Sequence, residues 1–161
     1  MSLFPQLDEN DIYLSRTDPN EELGAYSMHS FELDGAQWPS VEHYYQAMKH
    51  ESPDYQERVR NADHPEKARK LGNAWLRKKR PDWDQVREVV MTRAVYIKCR
   101  THPEVANKLL DTGDHKLVEN SQYDYFWGCG RDRRGHNGYG KVLMNVRAKL
   151  RAEQAEADTT E

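Results

Sequence analysis

Glu42, Tyr45, Gln46 and Lys49 stand at i, i+3, i+4 and i+7, so a helix would line up an acid, two hydrogen-bonding groups and a cation on one face. Ser40 is a good N-cap for that helix, since its hydroxyl can accept from one of the first unpaired N–H groups. Glu42 then falls in the first turn, where the positive end of the macrodipole favours a charged carboxylate. Such a face is a poor core face and a fitting wall for a polar ligand. The plainer reading is a first-turn acid that stabilises its helix by a few tenths of a kcal/mol to about 1 kcal/mol.

A second group of candidates runs from Asp124 through Trp127, Gly128, Cys129 and Gly130 to Gly135, Asn137, Gly138 and Gly140. Glycines free the backbone to approach a ligand closely, Trp127 offers a flat apolar surface to a ring, and Asp124 supplies another carboxylate. The other reading is a long surface loop whose Trp127 plugs the core. Trp83, after Pro81-Asp82, is placed at a helix start, where it serves the core or stacks on a ligand.

Several patterns fail. Gly135 to Lys141 nearly spells a phosphate-binding Walker A loop, but Val142 stands where Ser or Thr would hold magnesium and no apolar strand precedes it. No G-x-G-x-x-G fits, and the seven histidines show no H-E-x-x-H or paired ligand spacing. His43 and His50 read as partly exposed, and a Cys129–His136 nucleophile pair has nothing to orient it. The run Arg77-Lys78-Lys79-Arg80 reads first as a solvated loop, and more sharply as a phosphate or nucleic-acid contact.

The elements that must position these groups are mainly helical. Beyond the Ser40 helix, Asp54 to Arg60 and Pro65 to Gly72 suggest short helices, the latter with Pro at its first position. A long helix starts at Pro81 or Asp82, with Trp83, Val86, Val90, Ala94 and Ile97 at helical spacing. Another follows Thr101-His102-Pro103, and a closing helix begins near Tyr139 with Val142, Leu143, Val146 and Leu150 on one face. Ile12 to Ser15 and Lys116 to Glu119 read as short strands, and Phe31 to Trp38 as a hairpin turning at Asp34-Gly35. The fold class is therefore mainly α, a single compact helical domain with a few short strands. We place its boundaries at 12–152, with a flexible N-terminus at 1–11 and an acidic C-terminal tail, expected to fray, at 153–161.

The chain has 161 residues and a net charge of −3, so no global field draws it to nucleic acid or membranes. Its mean hydropathy is low, −1.06, yet four Trp and nine Tyr supply large apolar areas for a core. Two cysteines make no disulfide framework, and with no signal peptide or long apolar run the expected compartment is the cytoplasm.

The spaced residues resemble the NADAR (YbiA-like) family from about Ile12 to Leu150. The resemblance rests on Leu33-Asp34-Gly35, Trp38 to Ala47 with Lys49, Asp82-Trp83, Met91, Lys98, Leu110 to Gly113 and Leu117-Val118-Glu119. It continues through Asp124-x-x-Trp127-Gly128-x-Gly130, Gly135-x-Asn137 and Gly140-x-x-Leu143-Met144-x-x-Arg147. It implies a mostly helical fold and an N-glycosidase that cleaves the bond between ribose C1′ and an exocyclic nitrogen of a heterocycle. Family substrates are ribosylamine intermediates of the riboflavin pathway or ADP-ribosylated guanine in DNA. The implied partner is thus a small-molecule ribosylated heterocycle or an ADP-ribosylated DNA base, with no membrane, no cofactor and no metal.

The resemblance carries functional roles to Glu42, Trp83 and Trp127, with Asp124, Lys49 and Asn137 in support; Tyr45, Gln46 and Gly128 complete the expected substrate-binding set. In this scheme Glu42 stabilises positive charge developing on the sugar and handles the attacking water, and Asp124 positions or protonates the leaving nitrogen. Glu42→Ala is expected to abolish turnover with the fold intact. One departure stands out. Many members carry Ser-Asn-Phe before the hairpin, and this chain has Gly24-Ala25-Tyr26. That departure keeps open a non-catalytic module binding ADP-ribose or a nucleotide.

Overall fold

The computed structural model describes residues 8–160. Its elements in chain order are β1 (Ile12–Leu14), β2 (Phe31–Leu33), β3 (Ala36–Trp38), α1 (Val41–Ala47), α2 (Pro53–Arg60), α3 (Pro65–Gly72), α4 (Trp83–Thr101), α5 (Pro103–Asp111), β4 (Leu117–Glu119) and α6 (Gly138–Thr159). Helices dominate and the strands are three residues each, the mainly α architecture read from the sequence.

The predicted hairpin is β2–β3, antiparallel with Phe31 opposite Trp38. Asp34 (φ 54°) and Gly35 (φ 78°) both take the left-handed conformation a two-residue turn of this kind requires. Sequence reading did not find that β1 and β4 pair with each other, in parallel, with Ile12 opposite Leu117 and Leu14 opposite Glu119. Neighbouring strands in sequence usually pair, whereas this pairing joins strands about a hundred residues apart.

Helix ends follow the local chemistry. Ser40 caps α1 by accepting from His43 N–H at 3.2 Å, and Pro opens α2, α3 and α5 where a missing N–H costs nothing. The cap of α3 is His64, whose Nδ1 accepts from Glu66 N–H at 3.0 Å. Asn137 enters α6 in a left-handed conformation (φ 53°). Residues 153–159, expected to fray, continue α6, because Ala, Glu and Gln are strong helix formers. Residues 1–7 of the expected flexible N-terminus lie outside the described residues; Asp8 to Asp11 form a turn closed by Asp11 N–H on Asp8 O.

Helix α1 lies centrally, against α2, α3 and α4, and α6 packs on α4, α5 and β4. Val41, Tyr44, Ala47, Val59, Ala68, Met91, Ala94, Leu109, Leu117, Tyr139 and Leu143 are among the fully buried core. Every residue of α1 is buried, polar ones included. His43 and His50, expected to be partly exposed, are buried as well. Each finds partners: His43 bridges Ser40 Oγ (2.7 Å) and Ala62 O (2.9 Å), and His50 Nε2 bonds Gly72 O (3.0 Å). Burial lowers the His43 pKa, as desolvation does for any imidazole. Cys99 and Cys129 are free thiols. Among the described residues no helix is long and apolar enough to cross a membrane.

Candidate active site

The centre of the site is a buried ion pair that the sequence did not announce. Glu42, wholly inaccessible, accepts from Arg16 Nη1 through Oε2 at 2.7 Å and from Gln46 Nε2 through Oε1 at 2.7 Å. Arg16 follows β1, and its Nη2 lies 3.8 Å from Asp124 Oδ2. Its backbone N–H donates to Glu119 Oε1 at 3.0 Å, at the end of β4. Glu42 and Asp124 are therefore bridged by a guanidinium. Burial alone would lower the Arg16 pKa; Glu42, then Asp124, Tyr45 and Glu119 more than reverse it, so the pKa is raised. Two carboxylates face the one guanidinium, while Glu119 takes the Arg16 backbone N–H.

Asp124 belongs to a tight turn. Its Oδ1 accepts from the backbone N–H groups of Phe126 (2.9 Å) and Trp127 (2.8 Å), which fixes where Trp127 points. Trp127 Nε1 donates to Tyr45 Oη at 3.1 Å, and its ring meets Tyr45 edge-on at 5.5 Å. Trp83 also leans on Tyr45, its ring tilted by 54° at 5.0 Å. Tyr45, Trp83 and Trp127 thus make one aromatic group, each about 5% exposed or less. Burial pushes the Tyr45 hydroxyl up to about 12, so it stays a neutral hydrogen-bonding group.

Lys49, one helical turn beyond Tyr45, sends Nζ to Asn73 Oδ1 at 2.6 Å and lies 5.2 Å from the Tyr45 ring centroid. Burial first, then the nearby Lys79, brings its pKa down to about 7. Gln46 fits against Gly72, where a Cβ would come within 2.2 Å of its Oε1. That Oε1 finds no hydrogen-bond partner among the described residues. The amide thus spends its donor on Glu42 and turns its oxygen toward Gly72.

Two expected site residues make tight contacts within the fold. Asn137 Oδ1 accepts from Glu119 N–H and its Nδ2 donates to Leu117 O, both at 2.9 Å. Both ends of its amide tie β4 to the start of α6, as a strut does. Gly128 is a close-packing position. A Cβ there would lie 2.5 Å from Glu119 Oε2 and 2.8 Å from the carbonyls of Asp124 and Ser121. Since two of these atoms are backbone, Gly128→Ala should cost about 1–3 kcal/mol through overpacking. A fall in the thermal unfolding midpoint would register it; an unchanged midpoint would show that the loop yields freely.

Sequence reasoning missed Arg16, Glu119 and Asn73. The single signal for Arg16 was a charge directly after a short apolar strand, too common to single out. The open pairing of Cys129 with His136 is not formed: Cys129 Sγ points to Ser121 O, and His136 bonds Glu88 and stacks on Phe126. Among the described residues no three His, Cys, Asp or Glu side chains gather as a metal-holding group.

The Gly24-Ala25-Tyr26 segment borders this centre. Ala25 O accepts Glu42 N–H at 3.1 Å, and the N–H groups of Ala25 and Tyr26 both reach Arg16 O. Lys98, buried, holds the segment from behind by donating to Glu22 O, Gly24 O and Ser27 Oγ. Tyr26 Oη donates to Glu66 Oε2 at 2.5 Å, tying the segment to α3. The backbone of this segment thus supports both members of the ion pair, while the Ala25 methyl offers a ligand no polar group.

Comparison with known proteins agrees with this architecture. The NADAR domain family model matches residues 4–151. The chain is 42% identical over 129 residues to an N-glycosidase of Nostoc punctiforme, covering 78% of this chain and 83% of that protein. It is 33% identical over 142 residues to the N-glycosidase YbiA of Escherichia coli, covering 88% and 89%. A riboflavin biosynthesis protein of Vibrio vulnificus is 38% identical over 143 residues, which cover 88% of this chain and 39% of that longer protein. The NMR structure of the E. coli protein YbiA superposes with a TM-score of 0.83 at 32% identity, over 96% of this chain and 92% of that one. On its sequence, its fold and its relatives, the chain belongs to the NADAR family.

Proposed function

We propose that the protein is an N-glycosidase that hydrolyses the bond between ribose C1′ and an exocyclic nitrogen of a heterocyclic base. The observation that carries this is the buried Glu42–Arg16 pair set beside the Tyr45–Trp83–Trp127 aromatic group. Breaking a glycosidic bond builds positive charge on the sugar, and a fixed carboxylate in a water-poor setting stabilises that charge far better than water does. Arg16 and Gln46 hold Glu42 in one orientation, so little reorganisation is needed as the charge develops. Water adds to C1′, the C1′–N bond breaks, and the leaving nitrogen takes up a proton as the water loses one. Glu42 carries the electrostatic part and receives the water's proton, which then passes to the leaving nitrogen. Asp124, engaged as an acceptor, is better suited to anchoring Arg16 and Trp127 than to giving a proton. The aromatic group forms the apolar wall for the base.

Incubation with two substrates tests this reading: a ribosylated pyrimidine amine of the riboflavin type and an ADP-ribosylated guanine. Chromatographic release of the free amino heterocycle from either is the expected result, and intact substrate in both would end it.

Lys49 supplies the second test. Below about pH 7 it is an ammonium and can hold an anionic group of the substrate; above that it becomes neutral. Affinity for a phosphorylated ligand is expected to fall as pH rises through 7, approaching tenfold per pH unit above it. Lys49→Met should bind weakly with that slope gone. Calorimetric titration of wild type and variant between pH 6 and 9 (about two units to the basic side) reads the outcome, and a slope kept by the variant would assign the effect elsewhere.

A further inference from the structure

We propose that the loop between α3 and α4, residues 73–82, is a docking surface for single-stranded nucleic acid. Ala74 O accepts Arg77 N–H at 3.0 Å, closing a turn that carries Trp75 and Leu76 at its tip. Trp75 is 89% exposed and Leu76 76%, so neither serves the core. Two large apolar side chains exposed side by side at a loop tip, rimmed by polar residues, form a patch suited to contact with a partner. Arg77, Lys78, Lys79 and Arg80 follow at once, and they line a cavity of about 390 Å³ with His50, Glu51, Ser52, Tyr55 and Pro81.

The charges are available. Arg80 is paired with Asp82 (2.6 and 2.9 Å), and Arg77 lies over the Tyr55 ring at 4.5 Å with no acidic partner among the described residues. Lys78 and Lys79 make no ion pair among the described residues. Glu51 is the one acid in the lining. Against a chain whose net charge is −3, this is a concentrated local positive patch. Cations that track a phosphodiester backbone next to an aromatic on which a base stacks are the two components of single-strand recognition.

A duplex presents stacked bases that Trp75 could not reach, so the unpaired strand is the better fit. An anionic membrane is the competing partner for exposed Trp and Leu beside lysines. Membrane-surface binding uses an amphipathic helix with a broad apolar face, and here two apolar residues stand on a turn above a concave, cation-lined cavity.

The loop also touches the candidate site. Arg80 N–H donates to Lys49 O at 2.7 Å, and Asn73, at the loop's start, accepts from Lys49 Nζ. A strand seated on the loop would pass the Lys49 side of that site. The binding itself does not depend on the glycosidase reading.

Fluorescence anisotropy with labelled DNA and RNA single strands of about 15 nucleotides, of one pyrimidine each, tests the proposal. Salt-sensitive binding is expected, with affinity falling steadily between about 50 and 200 mM salt. Trp75→Ala should weaken it roughly 5- to 100-fold. Lys78→Ala combined with Lys79→Ala should flatten the slope of log affinity against log salt by roughly 1.4, at about 0.7 per phosphate contact. Glu42→Gln should bind as wild type does, which separates failure of this surface from failure of the glycosidase reading. No binding at the lowest salt, or binding indifferent to both loop variants, overturns the proposal. So does sedimentation with phosphatidylserine vesicles that Trp75→Ala abolishes while oligonucleotides do not bind.

Discussion

Glu42→Gln is expected to lower turnover of a ribosylated heterocycle by roughly 10²–10³-fold or more, the scale on which preorganised electrostatic groups act. The amide keeps the shape of the side chain and removes the charge that opposes the developing cation. Loss should fall on kcat, because the group is needed most where the positive charge is greatest. The substitution first suggested by the sequence, Glu42→Ala with the fold intact, is a poorer instrument. Glu42 is fully buried and paired with Arg16 at 2.7 Å. Removing it strands a guanidinium in the core, at a cost of about 3–5 kcal/mol. Single-turnover assays with a parallel denaturant titration separate the two effects. Wild-type rates in a folded Glu42→Gln protein would refute the mechanism.

Arg16→Met is expected to be as damaging as Glu42→Ala, about 3–5 kcal/mol, because it leaves the carboxylate buried without its cation. The informative protein is the double variant, Arg16→Met with Glu42→Met. Replacing both members of a buried pair by apolar groups of similar volume is often neutral or stabilising, so most of the lost stability should return. Activity should not. Stability measured by denaturant unfolding across the four proteins gives the coupling between the two residues. If the double variant were no more stable than either single one, Arg16 would owe its importance to Asp124, not to Glu42.

The chain showed its helices and its hairpin plainly, because capping residues, Pro at first helical positions and Asp34-Gly35 act locally. Glu42 was visible for the same reason, through Ser40 and the α1 register. What lay out of reach was long-range. Arg16 meets Glu42 through the backbone of residues 24–26 and the pairing of β1 with β4, and a three-residue strand carries too little pattern to name its partner. Burial of α1 also escaped notice, since polar residues such as His43 and Gln46 read as surface until their buried acceptors and donors are known. Asn137 was cast as a ligand contact by the family resemblance, from its place in the Gly135-x-Asn137 motif of the glycine-rich loop. Its left-handed backbone and two-ended amide show that such loops use polar side chains to hold themselves together.

The pairing of β1 with β4 also sets when the site can exist. Arg16 is anchored through Glu119, 103 residues further along, and closing so large a loop carries an entropic cost that local helix formation does not. The helices between can form early on local contacts. The arrangement that holds Glu42 and Arg16 together must await this last closure. A nascent chain emerging from the ribosome therefore carries Glu42 well before its pairing with Arg16 can close, which waits until β4 has arrived.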